Sequence, residues 1–516
     1  RSAAQDRPGA SSGQLLGWMG ILPKRIQQLS PAGREVAGLA AALGHDFSIP
    51  LLAEASDLDV ETVVVAVDEL WRRRIIRQIG DRYNFSHDLL RSTAYDAVTP
   101  ARRWLLHRRL AQALELLWAG HTDTVAAQIA EQYRLAGNPE RALRYFERAA
   151  EVAAAMFAHG DALTFLTAAR QLLASMPHGR DRDQRELTLL EMSIPPLNAL
   201  HGYSSPLVRE TCERSVNLAD ELDLTARMVT AMVGLWSSRF VEGRLQDSFE
   251  LAQEAVNLVG PGDERFGQAH FSLAGSALHL GQPLVAMEHF AIALDAMGDE
   301  SLSVGTRARV HTGAWWAHAC WTMGDFVRAA DLAAEATAYA RTSGHRYSLV
   351  VGRAFEAITH QLLDERSKCA EAASHVRAMC KRYQFTYYDK WGEILEGWAR
   401  GDRVGVQLIE GGLSGLRAEN AHVRMPYWLS LLAQTTSDEE YARQTLHTAL
   451  GVARASGESW WIPELLRLDA AHLDGADRRN TLARAVELAR AQHSPAMMTR
   501  CEADLSQRSL RGATPH

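Results

Sequence analysis

Residues 133–149 read Tyr133-Arg134-Leu135-Ala136-Gly137-Asn138-Pro139-Glu140-Arg141-Ala142-Leu143-Arg144-Tyr145-Phe146-Glu147-Arg148-Ala149. An aromatic residue, Tyr133, precedes a turn at Gly137, and the next stretch carries small and aromatic residues as Ala142-x3-Phe146-x2-Ala149. Ala286-x3-Phe290-x2-Ala293 repeats the second half. Downstream, turn residues stand at Gly243, Gly281, Gly324, Asp364, Gly401 and Ser437, spaced by 38, 43, 40, 37 and 36 residues. Five residues after each comes a mostly small one: Ser248, Ala286, Ala329, Cys369, Val406 and Ala442. Two helices crossing in a hairpin need small residues where their backbones approach. A period near 39 therefore predicts stacked helical hairpins from about Asp88 onward. One hairpin cannot bury its own apolar face, and its neighbours do so in a stack. The array is expected to end in a cap near residues 460–508.

The aromatic-turn-Ala-x3-Phe-x2-Ala pattern resembles the tetratricopeptide repeat (TPR), in long and irregular units. The stretch before it has a different rhythm. Ser30-Pro31 reads as a helix cap followed by Pro at the first helical position, opening a helix to about Leu43. A short helix over residues 50–55 follows, then a third over about 60–74 with Asp59 as its cap. Residues 75–85 read as two short strands around Gly80-Asp81. Helix, helix, helix, hairpin is the winged-helix pattern. The expected fold is all-α: a TPR-like helical-hairpin superhelix with a small N-terminal winged-helix-like module. The expected divisions are a linker over 1–29, the module over 30–110 and the repeats over 111–516. At least about 70% helix is expected, far above the usual third, in a curved right-handed stack.

The bulk properties agree. The chain has 516 residues, 47% hydrophobic and 23% charged, with only 16 Pro, a composition suited to a helical protein with a sizeable core. Residues 1–118 carry 15 Lys+Arg against 13 Asp+Glu, and the remainder 40 against 49, which does not fit an electrostatic nucleic-acid binder. No apolar run reaches the roughly 18 residues of a membrane span. The five cysteines (Cys212, Cys320, Cys369, Cys380, Cys501) form no C-x-x-C, which predicts free thiols in a reducing cytosol. The first residue is Arg1 rather than Met, and the chain is read as a fragment or processed product.

Several constellations invite chemistry. His311, His318 and His360 lack the H-E-x-x-H spacing or a carboxylate beside them, so no metal site is expected. No nucleophilic triad or G-x-S-x-G is present, and no catalytic residue is expected. Gly411-Gly412-x-x-Gly415 lacks the preceding strand of a phosphate loop. Trp71-Arg72-Arg73-Arg74 closes the third helix, but Val63–Val67 is apolar around so much of the helix that it reads as buried rather than as a DNA-reading element. In superhelical arrays the first helix of each pair lines the concave face. Counting back from the turns places Phe240, Phe271, His279, His311, His318, Trp321, Gln361, Tyr388, Trp391 and Trp398 there. That predicts a groove for an apolar or amphipathic ligand or a peptide anchor. The competing reading makes these aromatics inter-repeat core.

Phe85-Ser86-His87-Asp88-Leu89-Leu90-Arg91, followed by Arg102–Leu110, resembles the end of the winged-helix part of STAND-type regulatory ATPases, where F-x-H-D-x-x-R leads into TPR repeats. From Ser30 onward the chain resembles the C-terminal half of large SARP-type (antibiotic regulatory protein) transcriptional activators, most of all in Asn198–Tyr203, Leu302–Thr306 and Arg424–Leu432. The resemblance implies regulation of secondary-metabolite genes by a longer protein with a DNA-binding region and a nucleotide-binding domain upstream. ATP or ADP would sit in that domain, since no G-x-x-x-x-G-K-[ST] occurs here, and no cofactor is expected in this chain. His87 would reach the phosphates of ADP and hold the resting state. The implied partners are the upstream domain and an unidentified ligand or protein, with homo-oligomerisation possible and no direct nucleic-acid contact. Pure scaffolding through self-association is the alternative.

Overall fold

The computed structural model describes residues 22–44, 46–298, 302 and 305–506. The chain is 78% helical, and the strands among the described residues form a single two-stranded ribbon. Most of the expected linker, residues 1–21, lies outside the described residues. The chain divides into two compact units between Pro177 and His178.

The first unit opens with α1 (Pro31–Leu43), α2 (Ile49–Ala55), α3 (Val60–Arg72), β1 (Ile76–Ile79), β2 (Arg82–Phe85) and α4 (Asp88–Asp96). The Ser30 hydroxyl accepts from the Gly33 amide at 2.9 Å, and Asp59 accepts from the Thr62 amide at 2.9 Å. Both meet amides that a helix start leaves unpaired. The ribbon pairs Ile76 with Phe85 and Ile79 with Arg82, turning at Gly80 with φ 63°. Then come α5 (Pro100–Leu117), α6 (Ala126–Leu135), α7 (Pro139–Ala155) and α8 (His159–Ala174). Tyr133, Ala142, Phe146 and Ala149 of the quoted stretch are all buried.

Three expectations for this unit are corrected. The linker is expected to reach residue 29, yet Leu22, Ile26 and Leu29 are buried in the core, because their spacing of four and three places them on one face of a helical turn. No break falls at residue 110, since one buried cluster runs from Leu22 to Ala142. Helix α3 is not buried all round. Val63, Ala66, Val67 and Leu70 face inward, whereas Val60, Val64, Val65 and Trp71 are exposed. An apolar run is uniform in composition, but only one face of a helix lies against α1.

The second unit contains α9 (Arg180–His201), α10 (Pro206–Glu221), α11 (Thr225–Val241), α12 (Leu245–Leu258), α13 (Phe266–His279), α14 (Pro283–Ala296), α15 (Ala308–Thr322), α16 (Phe326–Thr342), α17 (Arg346–Leu362), α18 (Arg366–Tyr383), α19 (Tyr387–Arg400), α20 (Arg403–Ala418), α21 (Met425–Thr435), α22 (Glu439–Ser456), α23 (Ile462–Ala470), α24 (Gly475–Ala491) and α25 (Pro495–Ser506). The two helices of each pair differ in kind. In α13 every residue but Phe266 is buried, and in α15 every residue but Arg309 and Trp316. In α14 the buried set is Pro283, Ala286, Phe290 and Ala293, a single stripe. Helices apolar all round are inner and striped helices are outer, so the odd-numbered helices from α11 to α23 form the inner layer, and α25 continues their row with only Ala496, Met497 and Cys501 buried.

The expected turn residues Gly243, Gly281, Gly324, Asp364 and Gly401 adopt φ between 59° and 86°, the left-handed region that ends helices. The fifth unit is out of register by one. Its close approach is made by Gly405, while Val406 is only half-buried. A Cβ on Gly405 would lie 2.3 Å from the Gly397 carbonyl oxygen.

The inner helices are also held across the coil. The last carbonyls of a helix have no partner within it. Val241 O, ending α11, accepts from the His422 and Val423 amides before α21. His279 O, ending α13, accepts from the Ser459 and Trp460 amides before α23. Thr322 O, ending α15, accepts from the Ser494 hydroxyl before α25 at 3.3 Å. Each latch joins one inner helix to the loop leading into the fifth one after it. No helix among the described residues is long and apolar enough to cross a membrane.

Candidate functional site

The first of these latches positions the most unusual residue of the unit. Pinning residues 422 and 423 to the end of α11 turns Arg424 inward, with φ 63°. A non-glycine residue there costs about 1–2 kcal/mol, and strain of this kind collects at functional sites. Arg424 is 1% exposed, and its carbonyl begins α21 by accepting from the Trp428 amide.

The guanidinium carbon lies 5.5–5.7 Å from the ring centres of Trp315, Phe355, Trp391 and Trp460. These rings come from α15, α17, α19 and the loop before α23. Each buried cation–ring contact is worth about 0.5–2 kcal/mol. Arg424 Nη2 is 3.2 Å from His318 Nδ1, and His318 Nε2 is 3.3 Å from the Phe355 carbonyl oxygen. The arrangement fits a neutral imidazole that donates to Phe355 and accepts from Arg424. Burial, and then the Arg424 charge, hold His318 well below the ordinary histidine range. Burial also pushes His311 down to about 3 and lowers the Arg424 guanidinium itself.

The nearby carboxylate is turned elsewhere. Glu458, 1% exposed, accepts from the Arg424 amide at 3.0 Å and from Trp460 Nε1 at 2.9 Å. Burial raises it to about 7, against the opposing pull of the Trp460 hydrogen bond and the Arg424 charge. Among the described residues the guanidinium has no carboxylate partner, and Nη1 has no partner at all. A cavity of about 30 Å³ lies against it, walled by Arg424, Trp315, Phe355, Trp391 and neighbouring rings.

The sequence-derived groove residues divide around this centre. Phe240, His311, Tyr388 and Trp391 line the cavity. Phe271 packs on Trp236 and Trp315, and His279 on Trp315. His318 holds the guanidinium. Gln361, Trp321 and Trp398 lie elsewhere: Gln361 accepts from the Tyr427 hydroxyl at 2.6 Å, Trp321 Nε1 donates to the Leu362 carbonyl at 3.1 Å, and Trp398 packs under Arg366. All ten are buried, so the expectation of an open aromatic groove is corrected. The inner helices face one another around the coil and fill the space the groove would occupy.

His311 bonds Thr306, His318 bonds Arg424, and His360 bonds Glu365. No group of His, Cys, Asp and Glu among the described residues is arranged to hold a metal. All five cysteines are buried free thiols. Gly412 and Gly415 serve close packing, since a Cβ on either would meet Lys390, in its backbone or its side chain. His87 is exposed at the N-cap of α4, and its ring makes no capping bond. Arg72 and Arg73 pair along α3 with Asp68 and Glu69.

Sequence reasoning missed Arg424, Glu458, Trp315, Phe355 and Trp460. One signal was available: Arg424 is the lone charge before the apolar run Met425–Leu429, at the head of the Arg424–Leu432 stretch noted above.

No family model matches the chain. It is 26% identical over 511 residues to an uncharacterized protein of Rhizobium meliloti (strain 1021), covering 93% of this chain and 49% of that protein. The chain thus spans about half the length of that relative. Among solved structures it is similar to a Signal Transduction ATPase with Numerous Domains (STAND) protein with a tetratricopeptide repeat sensor from Pyrococcus horikoshii, with TM-score 0.46, 11% identity, and 91% of this chain and 68% of that one covered. A Rap protein complexed with competence and sporulation factor gives 0.44, 11%, 72% and 98%.

Proposed function

We propose that this chain is the signal-receiving region of a larger STAND-type transcriptional activator of secondary-metabolite genes, acting by binding rather than by catalysis, in the cytosol. In this reading the repeat unit takes up a ligand or partner. The winged-helix-like elements pass the result to an upstream nucleotide-binding domain, which holds the ATP or ADP. One observation carries it: a buried guanidinium without a carboxylate partner, held in strained backbone beside a cavity at the centre of a helical stack. Burying a charge in this way costs several kcal/mol, and a stack that served only as a spacer gains nothing from it.

The exposed His87 ring supports a role at the upstream domain. Two of the basic residues ending α3 are engaged within the helix, which supports the absence of direct DNA contact. The exposed apolar side chains Val60, Val64, Val65 and Trp71 favour a protein contact there, including self-association as the second reading.

The test uses the whole regulator with a transcriptional reporter. Arg424→Met is expected to abolish the response to inducing conditions while the protein stays folded. His87→Ala is expected to raise basal output, because losing one hydrogen bond to a charged group, about 1.5–3 kcal/mol, shifts a two-state switch at least about tenfold. A folded Arg424→Met protein that responds like the parent refutes the sensing role. Unchanged ADP affinity in His87→Ala removes the relay through that residue.

A further inference from the structure

The unmatched buried side-chain atoms around the Arg424 cavity are of one kind. Two of its lining residues carry buried nitrogens without a hydrogen-bond partner: Arg424 Nη1 and Trp315 Nε1. Both are donors. No lining side chain among those described leaves a buried acceptor unmatched. Most buried donors in proteins are satisfied, and a donor left unsatisfied in low dielectric is expensive. A neutral ligand with its own N–H or O–H groups would face donors with donors. A cation would meet a guanidinium.

Size narrows the choice further. A space of about 30 Å³ holds roughly two water-sized centres. Most of its walls are aromatic rings, and ring edges carry the positive end of the ring quadrupole.

We propose that the cavity beside Arg424 is a binding site for a small acceptor-only monoanion, a halide ion or a short carboxylate such as formate, bound against the guanidinium and the indole N–H of Trp315. The anion supplies the counter-charge that Glu458 does not, because that carboxylate is turned to the Arg424 amide and the Trp460 indole. The proposal rests on the signal-receiving reading and names its ligand class. The occupied site lies where α15, α17, α19, α21 and the loop before α23 converge, so the ion tightens the same contacts that hold the coil together.

The test is made on the purified chain in sodium gluconate, whose anion is too large for the space. Bromide or formate replaces gluconate at constant ionic strength. Melting temperature and tryptophan fluorescence are followed, with bromide also acting as a heavy-atom quencher. Saturable stabilisation by either ion is expected, and the more effective one identifies the source as halide or carboxylate. Trp315→Phe keeps an aromatic ring and removes the donor, and should weaken binding about tenfold or more, the loss of one hydrogen bond to a charged partner. Arg424→Met should abolish it. Should Arg424→Met fail to fold, Trp315→Phe carries the test alone. Responses linear in concentration, or equal in parent and Trp315→Phe, overturn the proposal. So does a crystal grown in bromide that shows water but no anomalous peak beside the guanidinium. Loss of the anion effect leaves the sensing role standing if Arg424→Met still silences the reporter, because the two measurements are independent.

Discussion

Glu458→Gln probes the second latch through its protons. Burial raises the Glu458 carboxyl from an ordinary 4.5 to about 7. Between those values the folded chain holds a proton that the unfolded chain has released, so stability contributed by this group falls as pH rises. The contribution is full below about 4.5 and gone above about 7. A tenfold change in proton affinity corresponds to about 1.4 kcal/mol, so roughly 2–3 kcal/mol is lost between pH 5 and pH 8. Gln cannot titrate, and its one oxygen can still accept from the Arg424 amide and the Trp460 indole. Buried histidines such as His311, held down at about 3, work in the opposite direction. Their stability is present above about 6.5 and lost as pH falls, but they are shared by parent and variant and cancel in the difference. The assay is urea unfolding followed by tryptophan fluorescence at pH 5, 6, 7 and 8. The parent-minus-variant difference should fall by roughly 2–3 kcal/mol across that range and level off above pH 7. A difference that stays flat would falsify the buried, protonatable state of Glu458.

Two further outcomes follow from packing. Gly405→Ala places a methyl 2.3 Å from the Gly397 carbonyl oxygen; it should cost about 1–3 kcal/mol by overpacking, and an unchanged melting temperature would show that α19 and α20 can separate freely. Trp321→Ala removes a side chain 1% exposed and should cost about 3–5 kcal/mol, so a variant with parental melting but a lost signal response would restore Trp321 to a ligand groove.

The fold is legible where its causes are local. Ser30-Pro31, Asp59 and the turn residues from Gly243 to Gly401 each act within a few residues, and they stand where their chemistry predicts. The small residue after each turn is legible for the same reason, with Gly405 shifted by one because two adjacent positions, Gly405 and Val406, can each serve the crossing. Trp321 and Trp398 read as groove residues because an aromatic on an inner helix looks alike whether the coil is wide or closed. Coil radius depends on a small rotation per repeat, which leaves no mark in composition or period. The Arg424 centre is illegible for that reason. Its parts run from Trp315 to Trp460 and meet only where the coil closes, with α11, α13 and α15 each joined to the loop five inner helices onward.

Those cross-coil latches set this array apart from open solenoids in how it folds and how it can change. In an open solenoid each repeat touches its neighbours, so folding spreads from any point and repeats can be gained or lost. Here the hydrogen bond from Ser204 to the Glu419 carbonyl spans 215 residues, and the one from Ser494 to Thr322 spans 172. Contacts so distant in sequence close large loops before they return any stability, which slows folding. They also bind the repeats into one cooperative block. Deleting or inserting a single hairpin between α15 and α21 would displace every latch by one inner helix and leave the carbonyls of Val241, His279 and Thr322 facing the wrong loops. The length of this unit is therefore fixed by its geometry, and its sequence can drift repeat by repeat only while the repeat count stays the same.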